Sequence, residues 1–202
     1  MIAVIDYGMG NIHSVAKALQ ACGAKVLVTN KAADIRRSDK VVLPGVGAFD
    51  DAMAELRKQG LVELIKENAG QKPLLGICLG MQLLFEKSQE AETEPGLSIL
   101  AGKVVKFSAV EGLKVPHMGW NTLKVKSLNC PLLKGILDQD QVYFCHSYYP
   151  LPEDSRVVAA CADYGLEFAA VVWKDNVYGA QFHPEKSQAV GLKIIRNFVE
   201  SC

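Results

Sequence analysis

The sequence has no excess of charge of either sign, because 22 basic residues balance 22 acidic residues over a length of 202. A nucleic-acid-binding protein usually owes its affinity to a clustered positive field, so this balance argues against that class. The longest apolar run, from Ile99 to Val110, is interrupted by a glycine and two lysines and does not predict a membrane span. The sequence contains no Walker phosphate loop and no cluster of metal ligands. We therefore expect neither a metal nor another cofactor.

Paired cysteines are also missing, since no two of the six cysteines form a Cys-x-x-Cys motif. The chain opens on MIAVIDYG, which is strand-like and lacks the basic leader and cleavage site of a secretory signal. We therefore expect a cytoplasmic protein with reduced thiols, without a disulfide framework or a zinc site. Five cysteines are expected to be small apolar core or surface residues, namely Cys22, Cys130, Cys145, Cys161 and Cys202. Cys78 is the exception.

The first half of the chain alternates short β-branched runs with helical patterns. Runs that are apolar throughout and separated by helices are typical of a parallel sheet covered on both faces. The predicted strands are Ile2–Ile5, Ala24–Thr29, Lys40–Leu43 and Pro73–Ile77. The predicted helices are Ile12–Cys22, Asp51–Asn68 and Met81–Lys87. Such sheets carry their chemistry at the carboxyl ends of the strands.

The second half is a succession of strand-like segments with short turns, followed by a closing helix. These strands are predicted at Ile99–Ser108, Thr122–Val125, Gln141–His146, Arg156–Cys161, Phe168–Trp173 and Val177–Gln181, and the helix at Ser187–Val199. The polar stretch Lys87–Gly96 is expected to be a surface loop. The sequence thus predicts one α/β domain over residues 1–202. Its mainly parallel central sheet is flanked by helices and carries an antiparallel extension, or a small second sheet, in the C-terminal half.

The most informative motif is Gly76-Ile77-Cys78-Leu79-Gly80, where an apolar strand runs into a Gly-x-Cys-x-Gly turn and then a helix. This is the nucleophile-elbow arrangement, with cysteine in the place of serine. Glycines are needed there because the turn is tight and the flanking chains approach closely. The head of a helix favours the thiolate form of a cysteine. A core cysteine at a strand end is the alternative, and the motif alone leaves several hydrolase families open.

A thiol nucleophile needs a base, and the base needs an orienting group. His13 is expected inside the first helix and His117 in a loop. His146 and His183 each lie at the end of a predicted strand. Glu185 follows His183 after one proline, so its carboxylate can hold one ring nitrogen while the other faces the sulfur. His183 is therefore the predicted base and His146 the weaker candidate.

Two further Gly-rich turns follow strands. Pro44–Gly47 is a possible source of a second oxyanion donor, and an ordinary turn is the alternative. Tyr7–Asn11 resembles the start of a dinucleotide-binding fingerprint. That interpretation fails because His13 stands where the fingerprint requires its third glycine.

Together these segments resemble the class I, or triad, glutamine amidotransferases. The resemblance rests on residues 76–82 and on His183-Pro184-Glu185. Asp6–Asn11, Pro44–Gly47 and Pro116–Asn121 narrow it to the glutaminase subunits of imidazole glycerol phosphate synthase. It covers essentially the whole chain.

This resemblance implies a role for each matching position. Cys78 would attack the amide carbonyl of L-glutamine and form a thioester, His183 would protonate the ammonia and Glu185 would orient His183. The implied oxyanion residues are Leu79, Gly45, Val46 and Gly47, and the implied substrate-binding residues are Gln82, Glu90, Ser147 and Tyr148. The implied partner-facing residues are Asn11, Trp120, Tyr143 and Lys186.

The resemblance also implies a partner, a (β/α)8-barrel cyclase subunit that forms a heterodimer with this chain. There the ammonia would convert a ribulosyl-aminoimidazole-carboxamide nucleotide into imidazole glycerol phosphate and an aminoimidazole carboxamide ribotide, in histidine biosynthesis. Two alternatives stay open. One is the glutaminase of another synthase, such as that for pyridoxal phosphate, and the other is a redox or stress-response protein with an elbow cysteine.

Overall fold

The computed structural model describes residues 1–91, 94–108 and 113–202. The helices of this part of the chain are α1 Ile12–Ala21, α2 Ala32–Arg37, α3 Phe49–Lys58, α4 Leu61–Ala69, α5 Leu79–Gln82 and α6 Gln188–Glu200. The strands are β1 Ile2–Ile5, β2 Val26–Thr29, β3 Lys40–Leu43, β4 Leu74–Ile77, β5 Lys87–Ser88, β6 Gly102–Lys106, β7 His117–Thr122, β8 Lys124–Val125, β9 Gln141–His146, β10 Tyr148–Pro152, β11 Val158–Asp163, β12 Glu167–Lys174 and β13 Val177–Ala180. None of these helices is long and apolar enough to cross a membrane.

The central sheet has the strand order β2-β1-β3-β4-β13-β12-β11-β8. The strands from β2 to β13 are parallel, and β12, β11 and β8 continue the sheet in antiparallel fashion. A small sheet of β10, β6 and β5 and a two-stranded ribbon of β7 and β9 lie outside it. The predicted mainly parallel sheet is therefore confirmed, and the C-terminal half supplies both an antiparallel extension and small separate sheets.

Both faces of the parallel strands are covered by helices, as their uniformly apolar sequences predict. Alternate side chains of a strand point to opposite faces. Ile2 and Val4 of β1 therefore share one core cluster with residues of α1 and α6. Ala3 and Ile5 share the other cluster with residues of α3 and α4. This arrangement brings the carboxyl ends of β1, β3, β4 and β13 to one edge of the sheet.

The predicted helices differ from the structure in three places. The predicted helix Asp51–Asn68 is divided into α3 and α4 by Gly60, whose φ is +68°. The predicted helix Met81–Lys87 is instead the short α5, because the chain tightens after it through i→i−3 bonds such as Phe85 N–H to the Gln82 carbonyl. Helix α2 was missed, since six residues carry too little periodic pattern to be recognised.

The predicted strands differ mainly outside the central sheet. His117, expected in a loop, begins β7, and the predicted strand Thr122–Val125 is divided between the end of β7 and the short β8. Strand β10 was missed because it contains two prolines, which an edge strand tolerates. The predicted strand Ile99–Ser108 is reduced to β6. The expected loop Lys87–Gly96 begins with β5, and its residues 92–93 lie outside the described residues.

Candidate active site

Cys78 stands on the sharp turn between β4 and α5. Its φ of +53° is unusual for a residue with a side chain and is typical of strained functional turns. Its N–H donates to the Ala180 carbonyl at 2.8 Å, which fixes the turn to β13. A Cβ at Gly76 would lie 2.6 Å from the Gly80 carbonyl oxygen, so the turn closes on itself too tightly for a larger residue. The strand-turn-helix geometry predicted for Cys78 is confirmed.

His183 and Glu185 lie on the segment that follows β13. The Nδ1 atom of His183 is 2.9 Å from Glu185 Oε1, and both side chains are buried. The main chain of His183 is held twice, because its N–H donates to the Tyr143 carbonyl at 2.9 Å and its carbonyl accepts from Ser187 Oγ at 2.7 Å. Because Glu185 occupies Nδ1, Nε2 is the ring nitrogen left for the sulfur of Cys78, which lines the same cavity.

The protonation of His183 depends on these two neighbours. Burial alone lowers the pKa of His183. Hydrogen bonds to Cys78 and Glu185, together with their negative charges, outweigh burial and raise the pKa to about 10. An imidazolium ion is therefore favoured at neutral pH. A cation beside a thiol favours the nucleophilic thiolate form.

The turn from Pro44 to Gly47 packs against the elbow, as two strands ending at one sheet edge require. A Cβ at Gly45 would lie 2.8 Å from the Gly80 backbone nitrogen. The hydroxyl of Tyr7, which is buried, donates to the Pro44 carbonyl at 2.9 Å and fastens the start of the turn. The predicted oxyanion residues are thus brought together around the elbow.

A cavity of about 310 Å³ opens beside the sulfur. It is lined by Val46, Gly47, Cys78, Leu79, Gln82, Glu90, Pro116, Cys145, His146, Ser147, Tyr148, His183 and Lys186. All four predicted substrate-binding residues are among them. The sequence did not single out Pro116 or Cys145 as lining residues.

Gln82, predicted to bind substrate, already has partners within the chain. Its Nε2 atom donates to the Tyr148 carbonyl at 2.9 Å and to Gln181 Oε1 at 3.1 Å. Gln181 is fully buried, and its own Nε2 donates towards Cys78 Sγ at 3.9 Å. Gln181 was not predicted from the sequence as a site residue. Its position two residues before His183, at the end of β13, was the available signal.

Glu90 supplies a carboxylate to the cavity. Its Oε2 atom accepts from the Phe49 N–H at the start of α3, at 3.0 Å. Burial raises the pKa of Glu90, and the bond from Phe49 offsets part of this effect. A partly buried carboxylate of this kind suits the ammonium group of an amino acid.

His146, the weaker candidate for the base, belongs to a separate chain of hydrogen bonds. Its Nδ1 faces the Tyr148 carbonyl at 2.8 Å, and its Nε2 faces His117 Nδ1 at 3.2 Å. His117 Nε2 in turn faces Asn121 Nδ2 at 3.3 Å. A carbonyl only accepts, so His146 carries its proton on Nδ1 and each link towards Asn121 then has one donor and one acceptor. These hydrogen bonds support the cavity wall at Tyr148.

This series of hydrogen bonds requires both imidazoles to be neutral, and the requirement lowers the stability of the protein in acid. Burial lowers the pKa of His117 to about 4 and that of His146 to about 3. In the unfolded chain both groups take up a proton near their ordinary pKa of about 6.5. Above that pH the two histidines do not lower the free energy of unfolding. Below it the free energy of unfolding falls towards pH 4, by about 1.4 kcal/mol per pH unit for each histidine.

We predict that His117→Phe makes the free energy of unfolding less dependent on pH between about 6.5 and 4. The phenyl ring keeps the aromatic packing against Phe144 and Tyr164 but cannot take up a proton. Urea unfolding at several pH values measures the slope. Equal slopes in the variant and the unsubstituted protein would show that His117 does not titrate as described.

The predicted partner-facing residues lie on segments connected to the site, since the Tyr143 carbonyl accepts from the His183 N–H. Trp120 and Tyr143 are opposite each other in the ribbon of β7 and β9, with ring centroids 6.1 Å apart. Lys186 lines the cavity, and Asn11 stands at the start of α1, which packs beside the turn that carries Lys186. Val46, Val115, Met118 and Trp120 are exposed apolar residues, and Val46 also lines the cavity.

Comparisons with known proteins give the family. Residues 3–202 match the family described as glutamine amidotransferase class-I. The chain is 50% identical to the imidazole glycerol phosphate synthase subunit HisH of Syntrophotalea carbinolica, over 98% of each chain. It is 52% identical to the HisH subunit of Thermosynechococcus vestitus, over 98% of this chain and 95% of the relative.

Solved structures support the fold alone, because their sequences are distant. The structure of PurLQS from Thermotoga maritima aligns with a TM-score of 0.76 and 19% identity, over 98% of this chain and 96% of that one. A crystal structure of a glutamine amidotransferase aligns with a TM-score of 0.74 and 18% identity, over 99% and 98%. The family match and the identity to the HisH relatives show that the chain belongs to the class-I glutamine amidotransferases and, within them, to the HisH subunits of imidazole glycerol phosphate synthase.

Proposed function

We propose that this chain hydrolyses L-glutamine to glutamate and ammonia, as the glutaminase subunit of imidazole glycerol phosphate synthase in histidine biosynthesis. The observation that carries the proposal is the placement of Cys78 and His183 in one cavity, with Glu185 held against His183. Cys78 stands on a nucleophile elbow, His183 lines the same cavity, and Glu185 holds Nδ1 of the imidazole. Family membership makes the amide of glutamine the bond that this arrangement cleaves.

The chemistry follows from the positions of these groups. The Cys78 thiolate attacks the carboxamide carbon, and the negative charge moves to the carbonyl oxygen. The Leu79 N–H and the turn of Gly45–Gly47 are the proposed oxyanion donors. His183 gives its proton to the leaving nitrogen, ammonia departs and a γ-glutamyl thioester remains. Water, deprotonated by His183, then cleaves the thioester and releases glutamate.

The substrate's polar ends match the cavity. Glu90 provides a negative charge for the α-ammonium group, and its bond from Phe49 fixes the carboxylate in place. Ser147 and Tyr148 form another part of the cavity wall and are proposed to hold the α-carboxylate. Gln82 joins this wall to the elbow by its bond to the Tyr148 carbonyl.

The ammonia needs an acceptor on another chain, because ammonia released into water is mostly protonated and then no longer nucleophilic. We propose the (β/α)8-barrel cyclase subunit as that partner. Exposed apolar side chains occur on segments that line the cavity, since Val46 lines it and Val115, Met118 and Trp120 lie within four residues of Pro116, which also lines it. Exposed apolar side chains on such segments are typical of an interaction surface. Asn11, Tyr143 and Lys186 are proposed to contact the partner on the same side.

Release of ammonia and glutamate from L-glutamine tests the proposal, with the cyclase subunit and its nucleotide ligand present or absent. We expect equal amounts of both products. Turnover of glutamine should be slow with the chain alone and about 10- to 100-fold faster in the complex, which is the size of a typical coupling between two sites. Coupled assays for glutamate and ammonia measure it. Glutamine that stays intact under both conditions would contradict the proposal.

A further inference from the structure

Beside His183, the sulfur of Cys78 has a second neighbouring donor, the carboxamide of Gln181. Gln181 directly follows β13 and is fully buried. Its Nε2 atom is 3.9 Å from Cys78 Sγ and is oriented to donate. Its Oε1 atom accepts from Gln82 Nε2 at 3.1 Å. Because a donor occupies the oxygen, the carboxamide cannot turn over without losing that bond, and its N–H stays directed at the sulfur.

The other contacts of the sulfur act in opposite directions. The carbonyl of Cys145 is also 3.9 Å from Sγ, and a carbonyl can only accept, so it favours the protonated thiol. A donor favours the charged form of the atom it contacts. Gln181 and His183 are donors to the sulfur and favour the thiolate. His183, however, gives its proton to the leaving nitrogen when the thioester forms, whereas a carboxamide keeps its protons throughout.

We propose that Gln181 is a further catalytic residue, whose Nε2–H donates to the Cys78 sulfur and stabilises the thiolate. Gln82 is the positioning residue that orients Gln181 and links it to Tyr148 in the cavity wall. The proton of the thiol goes to Nε2 of His183, and Gln181 exchanges none. The inference rests on the proposed role of Cys78 as the nucleophile.

Two substitutions of similar length test the inference in the full chain. Gln181→Met removes the donor, and Gln181→Glu places a carboxylate beside the sulfur. The measurement is the rate at which iodoacetamide alkylates Cys78 between roughly pH 5 and 10, followed by mass spectrometry of the peptide that contains Cys78. Gln71→Met, the same change at an exposed position, is the matched control.

We expect Gln181→Met to move the midpoint of the profile to higher pH and to slow alkylation at neutral pH by about three- to tenfold, the loss expected for one weak hydrogen bond to an ion. Gln181→Glu should slow it further, since two negative charges repel each other. The Gln71→Met profile should match that of the unsubstituted chain. A Gln181→Met profile identical to the control overturns the inference.

A second measurement needs no substitution and therefore no assumption about folding. In the chain with ¹⁵N-labelled glutamine, the side-chain NH₂ resonance of Gln181 should shift with the same midpoint as Cys78 alkylation. A resonance that stays unchanged while Cys78 ionises would exclude the hydrogen bond. Both measurements report on the thiol alone. A chain that fails to hydrolyse glutamine therefore contradicts the proposed function and leaves this inference to be decided separately.

Discussion

Cys78→Ala is expected to abolish glutamine-dependent synthesis by the complex while leaving ammonia-dependent synthesis intact. Without the sulfur no thioester forms, and removing the nucleophile of a triad typically lowers the rate by about 10⁴-fold or more. The cyclase reaction itself does not use Cys78, so ammonia supplied from solution replaces the missing product. Product formation from glutamine or from an ammonium salt, in the same reconstituted complex, measures both activities.

The control for this substitution is Cys130→Ala. Cys130 is also a buried thiol, but it lies among the core residues of the cluster that packs on α6, together with Leu132 and Ile136. Its replacement should leave both activities within about twofold, since it affects only packing. If Cys78→Ala removes the ammonia-dependent activity as well, the residue supports the structure of the complex and is not a dedicated nucleophile.

The sequence was sufficient to predict the central sheet and the placement of Cys78, His183 and Glu185. These features are local, because an apolar strand followed by a Gly-x-Cys-x-Gly turn defines the elbow within a few residues. The structure adds that β13 pairs in parallel with β4, so that both strands end at one edge, whereas the C-terminal strands were expected to pair in antiparallel fashion. Glu185 needed no long-range information, since one proline separates it from His183.

Other parts of the site were beyond the sequence because they depend on contacts between distant segments. The bond between Gln82 and Gln181 joins residues 99 positions apart, and neither residue type indicates its partner. The pairing of His117 with His146 depends on β7, whose pattern was obscured by Gly119 at a φ of +140°. Such polar pairs are specified by the assembled fold.

The glycines of the elbow provide the strongest test of how the fold holds the site. A Cβ on Gly80 would lie 1.9 Å from the Leu43 carbonyl oxygen and 2.9 Å from its carbon. These atoms belong to the backbone of β3, which pairs with β1 and β4 and cannot move aside. Gly45, in the turn that follows β3, also lies against Gly80. A Cβ added at Gly45 would lie 2.8 Å from the Gly80 nitrogen. The elbow and the proposed oxyanion turn are therefore in backbone contact.

Gly80→Ala is accordingly expected to lower the free energy of unfolding by about 3 kcal/mol or more, because overpacking against a backbone cannot be relieved by a rotamer change. Glutaminase activity should fall by at least about 100-fold in the molecules that remain folded, since a displacement of about 1 Å is enough for such a loss.

Gly70→Ala is the matched control, because Gly70 has a φ of −80° and a Cβ added there would meet no atom of the described residues within 4 Å. Alanine at this position should leave activity unchanged. It should raise the free energy of unfolding by up to about 1 kcal/mol, because alanine lowers the conformational entropy of the unfolded chain. Urea unfolding measures the stability of both variants, and glutamate release measures their glutaminase activity. Similar behaviour of the two variants would mean that the elbow tolerates a wider turn, and that close packing against β3 is not what positions Cys78.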